Sequence, residues 1–465
     1  MTSDVGYDRR LGTFDATMVV VGAIVGAGIF LNPAIVAQRV HGAGAVLGAW
    51  ALGGAIALLG AFCFAELGAR LPRAGGGYVY LRDGFGPLPA FLYGWTQLLV
   101  INTGGIAAVA ITFASYTADV AGMEELWIRP LAVAAIVLLS GANAAGVRFG
   151  SWIQNAFTIL KLLALALLVA AGAWLWAREP GAAALAGSAA PAAAASPSGV
   201  MAMGTALVAV LFAYGGWQHA NNIAEEIRDP ERRLPRALVA GVALVVIVYV
   251  SANVAYLGAL GAEGLAASVA PAADALRAAA GPAGGTVIGI GVACSTFGIL
   301  NVFIMAAPRI YQAMAADGLF FPSVARLHPR ARTPAVGIGL QAVWAVLLAL
   351  SGTYGQLLDW VVFGDWIFFG LIVATLFVFR ARDGEEGTSG ARPGGSDAGG
   401  SVRDTRRPYR VPGHPVVPGL FVAAAIFVVI GSVVSNPRNA LYGTLLIGAG
   451  VPAFLAWQRR ARRGR

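Results

Sequence analysis

The chemistry open to this sequence begins in its backbone. The stretch Gly22-Ala23-Ile24-Val25-Gly26-Ala27-Gly28-Ile29-Phe30 sets three glycines close together, with Pro33 a turn beyond. Glycine and proline are poor helix formers, so a helix here is expected to unwind. A second stretch, Leu211-Phe212-Ala213-Tyr214-Gly215-Gly216-Trp217-Gln218, sets paired glycines among aromatic residues. A helix broken midway exposes two kinds of group. Its new N-terminus offers free N–H groups and a positive dipole end, which suit a carboxylate. Its new C-terminus offers free carbonyls, which suit an ammonium group or a cation. Two facing breaks match the two ends of a zwitterionic amino acid. The plainer reading of Gly22-x-x-x-Gly26 is close helix–helix packing.

Side chains add little, but what they add is specific. Lys161 is the only lysine, in Phe157-Thr158-Ile159-Leu160-Lys161-Leu162-Leu163. It stands on the order of 15 Å from the nearer end of its hydrophobic segment at 1.5 Å per residue. A lysine side chain cannot snorkel that far. A charge at the centre of a membrane helix costs about 2.5–3.5 kcal/mol, so a partner is required. Either Lys161 caps carbonyls of a neighbouring helix, or its ammonium replaces a coupling cation. Asp365, in Phe363-Gly364-Asp365-Trp366, is a deeply placed acid. It reads as a hydrogen-bonded packing residue, as a proton acceptor, or as a group that sets substrate selectivity. Glu66, Glu225 and Glu226 stand beside Arg70, Arg73, Arg228 and Arg232, where ion pairs are expected. His219 follows the second break, and packing is its expected role. No His/Cys/Asp cluster has metal-ligand spacing and no Gly-x-Ser-x-Gly elbow occurs. No metal, cofactor or catalytic constellation is therefore expected. An enzyme has no residues to carry it, and a channel lacks a filter loop.

The elements that hold these residues are membrane helices. The chain has 465 residues, 58% hydrophobic and 12% charged, with a mean hydropathy of +0.73. That balance belongs to a polytopic helical membrane protein. Apolar windows long enough to span a bilayer recur near Thr13–Ala37, Gly44–Ala69, Leu88–Ser115, Leu126–Ala145, Ser151–Ala177 and Met203–Ala224. The series continues with Leu238–Leu260, Gly284–Ala315, Pro334–Leu350, Gly355–Phe379, Val416–Val434 and Leu441–Trp457. The polar start, Met1 to Arg10, precedes an apolar run too long for a signal peptide, so the first span is expected to be retained.

With an even number of spans, 26 arginines fall on the side of the termini and five on the other: Arg39, Arg129, Arg178, Arg277 and Arg438. By the positive-inside rule both termini are cytoplasmic, as in a multi-pass protein of the cell membrane. The net charge of +9 follows from that bias and implies no nucleic-acid partner. Cys63 and Cys294 fall within spans, so no external disulfide framework is expected. The loops Glu179–Gly199 and Asp383–Ser401 read as linkers without a core.

Spans one to five (about 13–177) and six to ten (about 203–379) each open with an interrupted helix. An odd number of spans per half forces the halves into opposite orientations, an inverted repeat. Spans eleven and twelve (about 416–457) lie outside it. The expectation is a single transporter domain over 1–465, all-α and polytopic, with about twelve transmembrane helices.

Gly22–Pro33 resembles the first-helix signature of the amino acid–polyamine–organocation (APC) superfamily. Phe212-Ala213-Tyr214-Gly215-Gly216-Trp217, then Asn221, Glu225-Glu226, Pro230 and Leu234-Pro235, is similar to its L-type amino acid transporter branch. Glu66-Leu67, Leu71-Pro72 and Gly75-Gly76-Gly77-Tyr78-Val79-Tyr80 resemble that branch after helix two. The resemblance covers essentially the whole chain. It implies a substrate carboxylate held by N–H groups around Ala27, Gly28 and Ile29, and an amino group received by carbonyls of Ile24, Phe212 and Ala213. Phe212 would also gate the site. The candidate binding set is Ile24, Val25, Gly26, Ala27, Gly28 and Ile29 from the first break. The second break adds Phe212, Ala213, Tyr214, Gly215 and Trp217. Lys161 would occupy the place where sodium-coupled relatives bind Na+, touching backbone near Gly22 and the hydroxyl of Ser295 or Thr296. Lys161, Ser295, Thr296 and Asp365 thus form the candidate coupling set. Many L-type members have Ser where this chain has Ala27, which puts substrate range in question but keeps the backbone donors.

The function implied is Na+-independent exchange of neutral amino acids by alternating access in the lipid bilayer. The alternative is a proton-coupled amino acid or amine symporter that uses Asp365. Eukaryotic L-type members attach a heavy chain through a Cys between helices three and four. The matching loop here, Tyr116 to Trp127, has none, so no disulfide-linked heavy chain is expected.

Overall fold

A computed structural model describes residues 7–178, 197–351, 354–389, 409–435 and 437–463. Most of both expected linkers lies outside these residues. Among the described residues the regular structure is helical, and the one β-bridge joins Leu11 to Ile227. Among the described residues, nine helices are long and apolar enough to cross a membrane, and the bent pair Thr13–Ile24 and Gly28–Arg39 makes a tenth. Two shorter apolar helices, Met201–Tyr214 and Ala335–Ser351, stand at the places expected for spans six and nine. The chain is an all-α polytopic membrane protein. Its outer faces carry exposed aliphatic residues such as Val416, Ile430 and Leu455. Hydrocarbon rather than water is the natural surrounding for such surfaces.

Both breaks form where the glycines cluster. In span one the helix stops at Ile24, Val25 turns extended (φ −72°, ψ 91°), and a new helix starts at Gly28 with a 41° bend. In span six the helix ends at Tyr214, and only the short helices His219–Asn222 and Ala224–Glu226 follow. The expected second half of this span is thus a pair of single turns. The breaks pack on each other, and glycine is what permits it. Gly216 has φ +124°, and a Cβ there would stand 2.4 Å from the carbonyl oxygen of Ala23. A Cβ on Gly28 would stand 2.8 Å from that of Ala213. No other residue type allows so close an approach of two backbones.

Long helices then fix the pair in place. Span seven (Pro230–Ala267) packs against spans one, two and five. Span eight (Pro282–Ala306) packs against spans three, five and one. Two short helices were not foreseen: Gly77–Phe85 between spans two and three, and Pro271–Ala280 between spans seven and eight. Span three also contains a π-helical turn, Gln97–Ile101.

The expected pairing of Glu66 with Arg70 forms, but the closest ion-pair partners come from distant spans. Glu66 makes a two-pronged contact with Arg380 of span ten at 2.9 and 2.6 Å, while Arg70 stands 3.6 Å away. Its second oxygen also accepts from the Val411 N–H at 2.6 Å. Glu226 pairs with Arg309 at 2.8 Å, both side chains 1% exposed, and the Tyr7 ring lies 5.5 Å from that guanidinium. Glu225 accepts from the Ala74 N–H. Folding brings the ends of distant spans together, and burial makes those pairings the ones that count.

A buried pair broken on one side leaves an uncompensated charge, at a cost of about 3–5 kcal/mol. Arg309→Met is therefore expected to lower the unfolding temperature in detergent markedly. Adding Glu226→Leu should restore most of the loss. An Arg309→Met protein that melts with the wild type would show that the pair holds nothing.

Candidate binding site

In a membrane, backbone groups freed by a break must find partners inside the protein. Around the first break they find four side chains. The Lys161 ammonium, fully buried, donates to the carbonyls of Gly22 at 2.9 Å and Val25 at 2.7 Å. Ser295 donates to the same Val25 oxygen at 3.2 Å. The Tyr249 hydroxyl lies 3.0 Å from the Ile24 carbonyl and 3.3 Å from that of Ala213, bridging the carbonyl ends of both broken helices. Tyr256, two turns along span seven, donates to the Ile29 carbonyl at 3.1 Å.

Two expectations about Lys161 are corrected in detail. Ser295 meets the lysine's carbonyl partner, and no bond joins its hydroxyl to the lysine among the described residues. Thr296 bonds its own helix, donating to Val292 and Ala293 carbonyls, because a helical threonine reaches back to its preceding turn. Among the described residues Lys161 has no acidic partner. Carbonyl dipoles alone hold its charge.

Between the breaks lies a cavity of about 90 Å³, counted as room for the centres of water molecules. Ile24, Gly26, Ala27 and Gly28 line it from the first break; Phe212, Ala213 and Gly215 line it from the second. The N–H groups of Ala27, Gly28 and Ile29 have no acceptor among the described residues. They are the orphan donors of a helix start.

Four of the candidate binding residues do not reach this cavity. Val25 turns its carbonyl to Lys161 and Ser295. Ile29 is buried behind the break. Tyr214 packs edge-on to Trp50 at 5.8 Å and against Tyr249 at 5.0 Å. Trp217 packs among Phe64, Phe369 and Phe421. The unwound backbone turns these side chains into the core, a rotation that helical spacing alone does not give.

Other residues complete the wall. Asp365 of span ten lines the cavity, and Gln97 donates to its Oδ1 at 3.4 Å. Asn102, Thr112, Gln218 and His219 join it. The His219 ring packs on Phe303 at 4.7 Å between centroids, consistent with the packing role expected of it. Sequence reasoning passed over Tyr249, Tyr256 and Gln97. The tyrosines did leave a signal: seven residues apart, they share one face of an otherwise aliphatic helix.

The sequence pattern described as amino acid permease matches residues 11–451. The b(0,+)-type amino acid transporter 1 of Homo sapiens is 32% identical over 451 residues, covering 95% of this chain and 86% of that protein. The serine/threonine exchanger SteT of Bacillus subtilis (strain 168) is 29% identical over 465 residues, 99% of each chain. The large neutral amino acids transporter small subunit 2 of Homo sapiens is 30% identical over 481 residues, covering 98% of this chain and 82% of that protein.

Tyr249→Phe keeps the ring and removes the hydroxyl that bridges the two breaks. One or two buried carbonyl contacts are lost, each worth about 0.5–1.5 kcal/mol. A lowered unfolding temperature in detergent is expected, with faster hydrogen exchange in the peptides spanning both breaks. Unchanged exchange at both would mean that the hydroxyl braces neither.

Proposed function

This chain belongs to the amino acid permease family, and on that footing we propose that it is a Na+-independent exchanger of neutral amino acids. It is a membrane transporter of amino acids, not an enzyme. One observation carries the finer reading: the Lys161 ammonium rests on the carbonyls of Gly22 and Val25 at the broken first helix. Carbonyls of an unwound helix can coordinate Na+ or an ammonium group with nearly the same chemistry. A covalently tethered cation occupies that place through every cycle, so no Na+ gradient is spent there. Without an ion to drive the return step, a counter-substrate must drive it. The serine/threonine exchanger among its relatives supports that reading.

Substrate binding follows from the free backbone groups. The α-carboxylate is received by the N–H groups of Ala27, Gly28 and Ile29 at a helix N-terminus. The α-amino group is received by the carbonyls of Ile24, Phe212 and Ala213. Each carbonyl has two lone pairs, so Tyr249 leaves the Ile24 and Ala213 oxygens one acceptor site apiece. Phe212, half-buried on the cavity wall, covers the bound amino acid.

Alternating access is the mechanism proposed. Spans one to five and six to ten act as an inverted repeat, and the two unforeseen short helices support it. Each follows the second span of its half, Gly77–Phe85 in one and Pro271–Ala280 in the other. The arginine distribution supports a cell-membrane protein with both termini cytoplasmic. The Cys-free loop Tyr116 to Trp127 supports a carrier without a disulfide-linked heavy chain.

Proteoliposomes holding the purified protein test the proposal. Uptake of labelled serine should require unlabelled amino acid inside and persist when Na+ is replaced by choline. Accumulation into empty vesicles under an imposed Na+ or proton gradient would overturn it. Lys161→Ala should insert correctly yet lose exchange by roughly tenfold or more, since charge-assisted bonds of about 1.5–3 kcal/mol are removed. Wild-type uptake by that variant would remove the lysine from the mechanism.

A further inference from the structure

We infer that Asp365 sets side-chain specificity, receiving the distal ammonium of an amino acid with a cationic side chain. The inference rests on the reading of the cavity as the amino acid site and extends its proposed range from neutral amino acids to cationic ones. Backbone groups at the two breaks satisfy the α-carboxylate and α-amino group of any amino acid. What distinguishes one substrate from another is the rest of the wall, and among the described residues its only carboxylate is Asp365. No Lys or Arg lines the cavity, and among the described residues no cation pairs with this acid.

The surroundings aim Asp365 at the cavity without neutralising it. Its one bond comes from the Gln97 amide at 3.4 Å, a long contact that leaves Oδ2 open. Gln97 is itself oriented: Asn102 donates to its Oε1, which turns its NH2 toward Asp365. Both residues belong to the π-helical turn Gln97–Ile101 and the position after it. The carbonyls loosened by that turn are held by side chains, Gln97 by the Tyr311 hydroxyl and Leu98 by Thr103. Such single π turns commonly mark functional sites. Here the turn swings an amide onto the acid of a neighbouring span.

An acid in the middle of a membrane span, bordering a cavity and lacking a cation, is complementary to a cation delivered by the ligand. Amino acids with anionic side chains meet the same charge and are rejected by it. Neutral side chains bind through the backbone groups alone.

The test uses the full-length protein in proteoliposomes loaded with serine, with labelled serine outside. Ornithine, norvaline and glutamate are titrated as competitors; norvaline keeps the aliphatic chain of ornithine without its distal ammonium. Ornithine should compete at a concentration about tenfold or more below norvaline, the scale of one charge-assisted hydrogen bond. Glutamate should not compete. In Asp365→Asn the ornithine-to-norvaline ratio should collapse toward one, and in Asp365→Glu the wild-type order should persist. Norvaline equalling ornithine in the wild type overturns the inference, and that measurement needs no variant to fold. An unchanged ratio in Asp365→Asn overturns it as well. Equal competition together with a pH dependence that Asp365→Asn abolishes overturns it in favour of a proton site. Failure of serine itself to exchange overturns the exchanger reading, and the subsite with it.

Discussion

Backbone polar groups cannot be left unpaired in a membrane, and this structure is arranged around two places where the helical ladder is interrupted. Each interruption releases carbonyls and N–H groups that cost several kcal/mol if left bare in hydrocarbon. The protein divides them into two populations. Carbonyls on the far side of the first break are closed by Lys161 and Ser295, and those between the breaks are partly closed by Tyr249. Among the described residues the N–H groups of Ala27 and Gly28 stay open toward a cavity. In the proposed reading, a filled cation place and an open anion place thus sit on the same few residues.

Holding two unwound segments together needs contact closer than side chains permit. Gly216 against Ala23 and Gly28 against Ala213 supply it, so a shift of one break is felt at the other. Tyr249 reinforces the coupling by touching a carbonyl of each. The breaks therefore pack as one unit, framed by long helices such as Pro230–Ala267 and Pro282–Ala306. The buried pair Glu226–Arg309 and the Glu66–Arg380–Val411 contact close the ends of the spans that surround it. Rocking motion in a carrier needs this contrast between a pliable centre and rigid surroundings.

Charge inside the protein is used sparingly and asymmetrically. Lys161 is surrounded by carbonyls and removed from the cavity, whereas Asp365 borders the cavity with a single long bond. One charge is internally compensated, and the other is, in our proposal, left to a ligand. The difference arises from which wall each span presents.

Much of this was legible in the sequence for reasons of physics that need no fold. Hydrophobic length marks the spans, arginine asymmetry gives the orientation proposed for them, and clustered glycines mark where helices break. A lone lysine deep in an apolar segment must find carbonyls or an acid, and it found Gly22 and Val25. The tertiary structure decided everything that depends on rotation about those breaks. Tyr214, the last helical residue before the glycine pair, and Trp217, just after it, both pack into the aromatic core, while Asp365 and Gln97 converge from spans more than 250 residues apart. Glu226 chose Arg309 over its neighbours Arg228 and Arg232 because packing buried that pair together. Sequence periodicity sets which residues share a helix face, but an unwound segment has no fixed period. Only the packing of one break against the other settles which way its side chains point.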